Sequence, residues 1–177
     1  MSDFRSAQFS DADPGLFSLA QIMHLMRTEF GRAQRYRYPL TVLVIGVDRL
    51  GSLRDLYGYE SKEAVLDEVA RLLKGETRTC DFLGRLADDR LMAVAPHTDA
   101  AGAQVLANRL VEGVRGLRFE SAGKQIPIRV TIGAATMADE NTLYFDQLVG
   151  AAELALEEGA SAGGDRVVAR DPRGGGG

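Results

Sequence analysis

The hydrophobic residues of this chain change their period several times, and each change marks an element. Apolar side chains recur at Leu19, Ile22, Met23, Met26, Phe30 and Ala33. Steps of three and four residues lay them on one face of a helix. The basic cluster Arg32, Arg35 and Arg37 suits the negative end of that helix's dipole, and Pro39 stops it. TVLVIGV, residues 41–47, is apolar on both faces and rich in β-branched side chains, the pattern of a central buried strand. A short helix and turn over 50–61 follows, with Ser61 placed to cap a helix that carries Val65, Leu66, Val69, Leu72 and Leu73 and ends at Gly75. Two strands, 80–86 and 90–96, meet at a doubly acidic turn, Asp88-Asp89. Asp99 caps a helix with Val105, Leu106, Leu110 and Val114 on its stripe. A strand over 126–137, a helix marked by Leu148, Ala152, Ala155 and Leu156, and a short strand over 165–170 complete the series.

The centre of this order reads βαββαβ. It predicts an α+β fold with a ferredoxin-like core, a mostly antiparallel central sheet flanked by helices, and an extra N-terminal helix. Residues 1–12 are expected to be a flexible N-terminus, 13–170 a single domain, and 171–177 a flexible Gly-rich tail. A chain of 177 residues is long enough for a full core. The net charge of −4 argues against nucleic acid or an anionic membrane as a partner, since phosphate-binding surfaces carry a basic excess. Cys80 is the only cysteine, so no intramolecular disulfide forms. The polar N-terminus lacks the apolar stretch of a signal peptide, and no run approaches the roughly 20 apolar residues of a membrane span. These features predict a cytoplasmic protein.

Several short motifs, in order, resemble the GGDEF family, whose active members make cyclic di-GMP from two GTP molecules. DADPGLFS (11–18) is similar to its DxLTGLxN, and VDRLGSLRDLYGYESKEAVL (47–66) to its DhFKxiNDxyGHxxGDxvL. RLADDRL (85–91) stands where RYGGDEF belongs, VTIGAA (130–135) resembles VSiGvA, and AELALEEGASAGGDRV (152–167) resembles ADxALYxAKxxGRNRV. The match runs from about Asp11 to Arg170.

The resemblance also marks departures. Gly46 stands at the first metal-ligand aspartate, before Asp48. Arg54 replaces the guanine-reading asparagine and Glu63 the guanine-binding aspartate. In the signature turn Ala87 and Asp88 replace glycines, Asp89 keeps its acid, and Arg90 replaces the catalytic glutamate. Ala160 and Gly164 fall at the phosphate-binding lysine and arginine. A GTP-condensing site holds Mg²⁺ on carboxylates and neutralises a triphosphate with cations. Asp48 and Asp89 leave two ligands, and Asp88 would repel phosphate by roughly 4 kcal/mol at about 4 Å and an effective dielectric near 20. These losses predict a protein that is not an enzyme, with no catalytic residue, no resident metal or cofactor, and a turn that is solvated, with Arg90 as local counter-charge.

Upstream, Arg78-Thr79-Cys80-Asp81 is similar to the family's RxxD inhibitory site, and Arg109 falls where a second arginine completes it. The resemblance implies a clamp for cyclic di-GMP. Guanidinium groups bond guanine O6 and N7, stack on purines and pair with phosphates, and a carboxylate accepts from guanine N–H groups. The expected function is a catalytically inactive cyclic di-GMP receptor that regulates a protein partner, with a ligand-linked homodimer as one assembly. The alternatives are a ligand-independent interaction scaffold and, last, a residual GTP-condensing enzyme.

Overall fold

The computed structural model describes residues 16–78, 81–138, 142 and 144–172. The expected loose N-terminus 1–12, most of the Gly-rich tail, and Thr79 and Cys80 of the RxxD segment lie outside them.

The chain runs α1 (Leu19–Tyr36), β1 (Leu40–Val47), α2 (Leu50–Tyr57), α3 (Tyr59–Glu76), β2 (Phe82–Arg85), β3 (Leu91–Pro96), α4 (Ala100–Arg115), β4 (Phe119–Ser121), β5 (Lys124–Ile126), β6 (Val130–Met137), α5 (Phe145–Ser161) and β7 (Val167–Ala169). Five strands form one sheet in the order β2-β3-β1-β6-β7. β1 is antiparallel to both neighbours, and only the β6–β7 pairing is parallel. This is the expected α+β arrangement, a central sheet flanked by helices with an N-terminal helix added.

The alternation of β1 explains its uninterrupted apolar run. Leu40, Val42 and Val44 enter a cluster with Ile22, Met26 and Phe30 of α1 and Leu148 and Ala152 of α5. Leu43 and Ile45 point the other way, into a cluster with Val65, Val69 and Leu73 of α3 and Leu106 and Leu110 of α4. Successive side chains of a strand face opposite sides, so a strand covered on both sides must be apolar throughout. α5 lies close on β6 because Gly133 has no side chain: a Cβ there would sit 2.0 Å from the carbonyl oxygen of Ala152. Edge strand β2 is covered by the segment before α1, where Phe17 N–H donates to Leu83 O and Arg85 N–H to Phe17 O.

Ser18 caps α1 through a capping box with Gln21. Three local expectations need correction. Ser61 lies inside α3, whose N-cap is Gly58; its hydroxyl meets that of Ser121 instead. α3 also runs past Gly75 and ends at Thr77. Val105 is 65% exposed, because Ala103 and Ala107 complete the buried stripe of α4 with Leu106, Leu110, Val111 and Val114. The β4–β5 hairpin was not expected at all. Asp99 does cap α4, accepting from Gly102 N–H at 2.8 Å. Among the described residues no helix is long and apolar enough to cross a membrane.

Candidate functional site

Two neighbourhoods collect the residues singled out by sequence. The first is a cleft of about 540 Å³ at the end of β1, whose walls include Gly46, Asp48, Asp88, Arg90, Ala160 and Gly164. Six of the ten positions that depart from or anchor the family pattern therefore do meet in space. Asp48, one residue past β1, spends both carboxylate oxygens internally. Thr131 Oγ1 donates to Oδ1 at 2.6 Å, and Asp165 N–H donates to Oδ2 at 2.7 Å. Gly164 permits the second bond: it has φ +73°, and a Cβ there would lie 2.7 Å from the Asp48 carboxylate. Asp88 approaches Arg90 Nε at 2.6 Å. Among the described residues no acceptor lies in line with that buried Nε–H, so the contact with Asp88 is one of charge. Burial works against the Arg90 charge, but Asp88, Glu153 and Glu157 outweigh it and hold the guanidinium above its ordinary value.

Asp89 turns away from this cleft. With φ +66° at the tip of the β2–β3 turn, it faces α3 and β2. Lys62 Nζ donates to Oδ2 and Arg85 Nη2 to Oδ1, each at 2.8 Å. Arg85 also grips Glu63 in a two-pronged contact at 3.1 and 3.0 Å, and Lys62 approaches Glu63 at 3.4 Å. Two cations and two carboxylates thus close on one another. The bonds from Lys62 and then Arg85 hold Asp89 below the usual carboxylate range. Arg85 does the same for Glu63 against the opposing effect of burial. Lys62 is raised, chiefly by its bond to Asp89. The turn is accordingly not a simple solvated one. Arg90 is a local counter-charge to Asp88, as expected, but Asp89 belongs to a partly buried ion network. Ala87 is exposed in the turn, and Arg54 lies apart, pairing with its neighbour Asp55 at 3.4 Å.

Sequence reasoning missed Lys62 and Arg85. The burial of Lys62, at 8% exposure in the first turn of α3, is visible only in the fold, whereas Arg85 stands four residues before Asp89, a spacing the sequence does show. A divalent cation needs oxygen ligands that converge with lone pairs to spare. Asp48 and Asp89 point to different partners and have their oxygens engaged, and Gly46 brings no side-chain ligand. This donor set does not fit such an ion.

The second neighbourhood is a cavity of about 480 Å³ between the α3–β2 connection, the β3–α4 loop and α4, with Arg78, Asp81 and Arg109 all in its wall. The three residues proposed as a clamp are therefore brought together. Asp81 has a side chain only 1% exposed, and it works from below. Its carboxylate accepts from Arg78 N–H at 2.9 Å and from Arg78 Nη2 at 3.2 Å. The same Nη2 donates to Pro96 O at 2.8 Å and to Thr98 Oγ1 at 2.6 Å. The guanidinium is thereby fixed in place while the Arg78 side chain stays 52% exposed. Arg109 stands across the cavity wall, donating to Glu76 O at 2.8 Å and pairing with the Glu76 carboxylate at 2.9 Å.

A family model described as "Diguanylate cyclase, GGDEF domain" matches residues 9–166. The chain belongs to the GGDEF family. It is 26% identical over 157 residues to the probable diguanylate cyclase DgcC of Escherichia coli (strain K12), covering 89% of this chain and 42% of that protein. The chain thus spans less than half the length of this curated relative. The diguanylate cyclase SiaD of Pseudomonas aeruginosa, solved in complex with its activator SiaC, superimposes with a TM-score of 0.84 at 25% identity, covering 92% of this chain and 63% of SiaD. The GGDEF domain of DgcB from Caulobacter crescentus, solved in complex with c-di-GMP, superimposes with a TM-score of 0.85 at 16% identity, covering 93% and 96% of the two chains, and shows the shared fold.

These relatives correct the expectation that the chain is not an enzyme. GGDEF proteins similar to it along most of its length are named diguanylate cyclases, and that points to an enzyme. The expectation rested on residue types at separate motif positions.

Proposed function

We propose that this GGDEF domain binds cyclic di-GMP on the face formed by Arg78, Asp81 and Arg109, and that binding regulates a contact with a protein partner. The observation that carries the reading is the fixed guanidinium of Arg78. A buried carboxylate, a backbone carbonyl and a threonine hydroxyl hold it at the mouth of a 480 Å³ cavity that Arg109 also lines. An arginine held in this way loses little freedom when it meets a guanine edge or a phosphate. Two half-exposed guanidinium groups suit a ligand with two phosphates and two guanines. The buried position of Asp81 assigns it the role of holding Arg78 rather than meeting the base itself.

The family supports the choice of ligand, since the relatives are named for the synthesis of the same nucleotide and DgcB was solved with it. SiaD with its activator SiaC supports a protein partner for this fold. Calorimetric titration with cyclic di-GMP tests the proposal. Saturable binding by the wild type, weakened at least tenfold in Arg78→Ala, is the expected result. No heat of binding, or equal binding by both proteins, contradicts it.

A further inference from the structure

His97 is an aromatic residue of the same cavity that no motif points to. It lies in the β3–α4 loop beside Thr98, whose hydroxyl holds Arg78, and it lines the cavity with Arg78, Asp81 and Arg109. Its backbone has φ +55°, in the left-handed region that histidine adopts more readily than most residues, and this sets the direction of the side chain. Its imidazole is exposed and stacks on the ring of Tyr38, with centroids 3.8 Å apart and planes 25° apart. Tyr38 is itself anchored. Its hydroxyl donates to the buried Glu29 of α1, and burial together with that bond pushes the phenol up to about 12, so it stays a neutral donor. A chain of contacts therefore runs from Glu29 through Tyr38 to a preset aromatic ring at the rim of an arginine-lined cavity.

We infer that His97, backed by Tyr38, is a base-stacking residue of this site: a guanine of cyclic di-GMP lies on the imidazole face that Tyr38 does not cover, while Arg78 and Arg109 engage its edge and the phosphates. The inference rests on the ligand reading above and adds its aromatic element. Every nucleobase has a π-face, and stacking on a ring already held in place adds affinity with little ordering. Tyr38 is a positioning residue here and His97 the contact.

The test is a titration of cyclic di-GMP into the wild type, Arg78→Ala, His97→Ala and His97→Phe, with the imidazole resonances of the wild type followed by NMR. The chain has two histidines, and His24, exposed on α1, serves as the internal control. His97→Ala is expected to weaken binding about tenfold, the size of one lost base stack. His97→Phe keeps affinity within about threefold, and only the His97 signals move upfield as ligand is added. If His97→Ala binds as the wild type does while Arg78→Ala does not, the stacking role is overturned and the arginine site stands. Equal loss in both His97 variants with stationary His97 signals also overturns it, since the loss then comes from the loop and not from a stack. A wild type that shows no binding removes the ligand reading itself, and this inference with it.

Discussion

The two cavities handle charge in opposite ways. At the end of β1 the Asp48 carboxylate is matched inside the protein by Thr131 and the Asp165 amide, and beside that cleft Glu63 and Asp89 are matched by Lys62 and Arg85. At the α3–β2 connection the carboxylate is buried and the guanidinium it holds is half exposed. The first arrangement stabilises a turn and a loop; the second presents a cation. A carboxylate count alone would have favoured the first as the ligand site. Which group is buried, and which is left at the surface, is what supports the second as the proposed site.

Removing Asp81 is the sharpest way to break that contrast. Asp81→Ala deletes a buried acceptor of charge-assisted bonds and strands the Arg78 amide. It is expected to destabilise the protein by about 2–3 kcal/mol in denaturant unfolding, and to weaken cyclic di-GMP binding along with Arg78. Arg85→Ala comes next. It leaves Glu63 and Asp89 facing each other with Lys62 alone between them, in a network whose carboxylates are roughly a quarter to a third exposed and whose lysine is buried. A loss of about 1–2 kcal/mol lies between the values for buried and surface pairs. Ligand affinity at the other face is expected to stay unchanged.

The network also sets a pH dependence. Glu63 and Asp89 are held below their ordinary values in the folded chain. Their contribution is complete above the unfolded carboxylate range, about pH 4, and fades as pH falls through the lowered folded values. Thermal melting from pH 7 to pH 3 is therefore expected to fall less steeply on the acid side in Arg85→Ala than in the wild type. The smallest stability effect belongs to Arg109→Ala. Its pair with Glu76 is about half exposed on both sides, so unfolding should shift by no more than about 0.5 kcal/mol. Cyclic di-GMP affinity should fall severalfold in the same variant, and a titration beside a melting curve separates the two.

The fold was legible where apolar side chains are large. β1 and α3 stand out because Val, Ile and Leu mark their buried faces, and α5 because Leu148 and Leu156 frame its alanines. α4 was read with its stripe displaced to Val105, since Ala103 and Ala107, which are buried, carry little hydrophobic signal. The β4–β5 hairpin was invisible because its turn, Ala122-Gly123, has positive φ at both residues without the usual Asn or Asp to announce it. At the site, spacing and resemblance brought Arg78, Asp81 and Arg109 to one cavity. They did not reveal which of them is buried. Lys62 and Arg85 escaped notice because their partners come from another element, and His97 because its partner Tyr38 is distant in sequence.

The most direct test of the account sets the two cavities against each other. Cyclic di-GMP is titrated into Arg78→Ala and Arg90→Ala under the same conditions as the wild type. The account predicts that Arg90→Ala binds as the wild type does and that Arg78→Ala loses at least tenfold in affinity. Binding that survives in Arg78→Ala and is lost in Arg90→Ala would place the ligand in the β1 cleft and contradict the account.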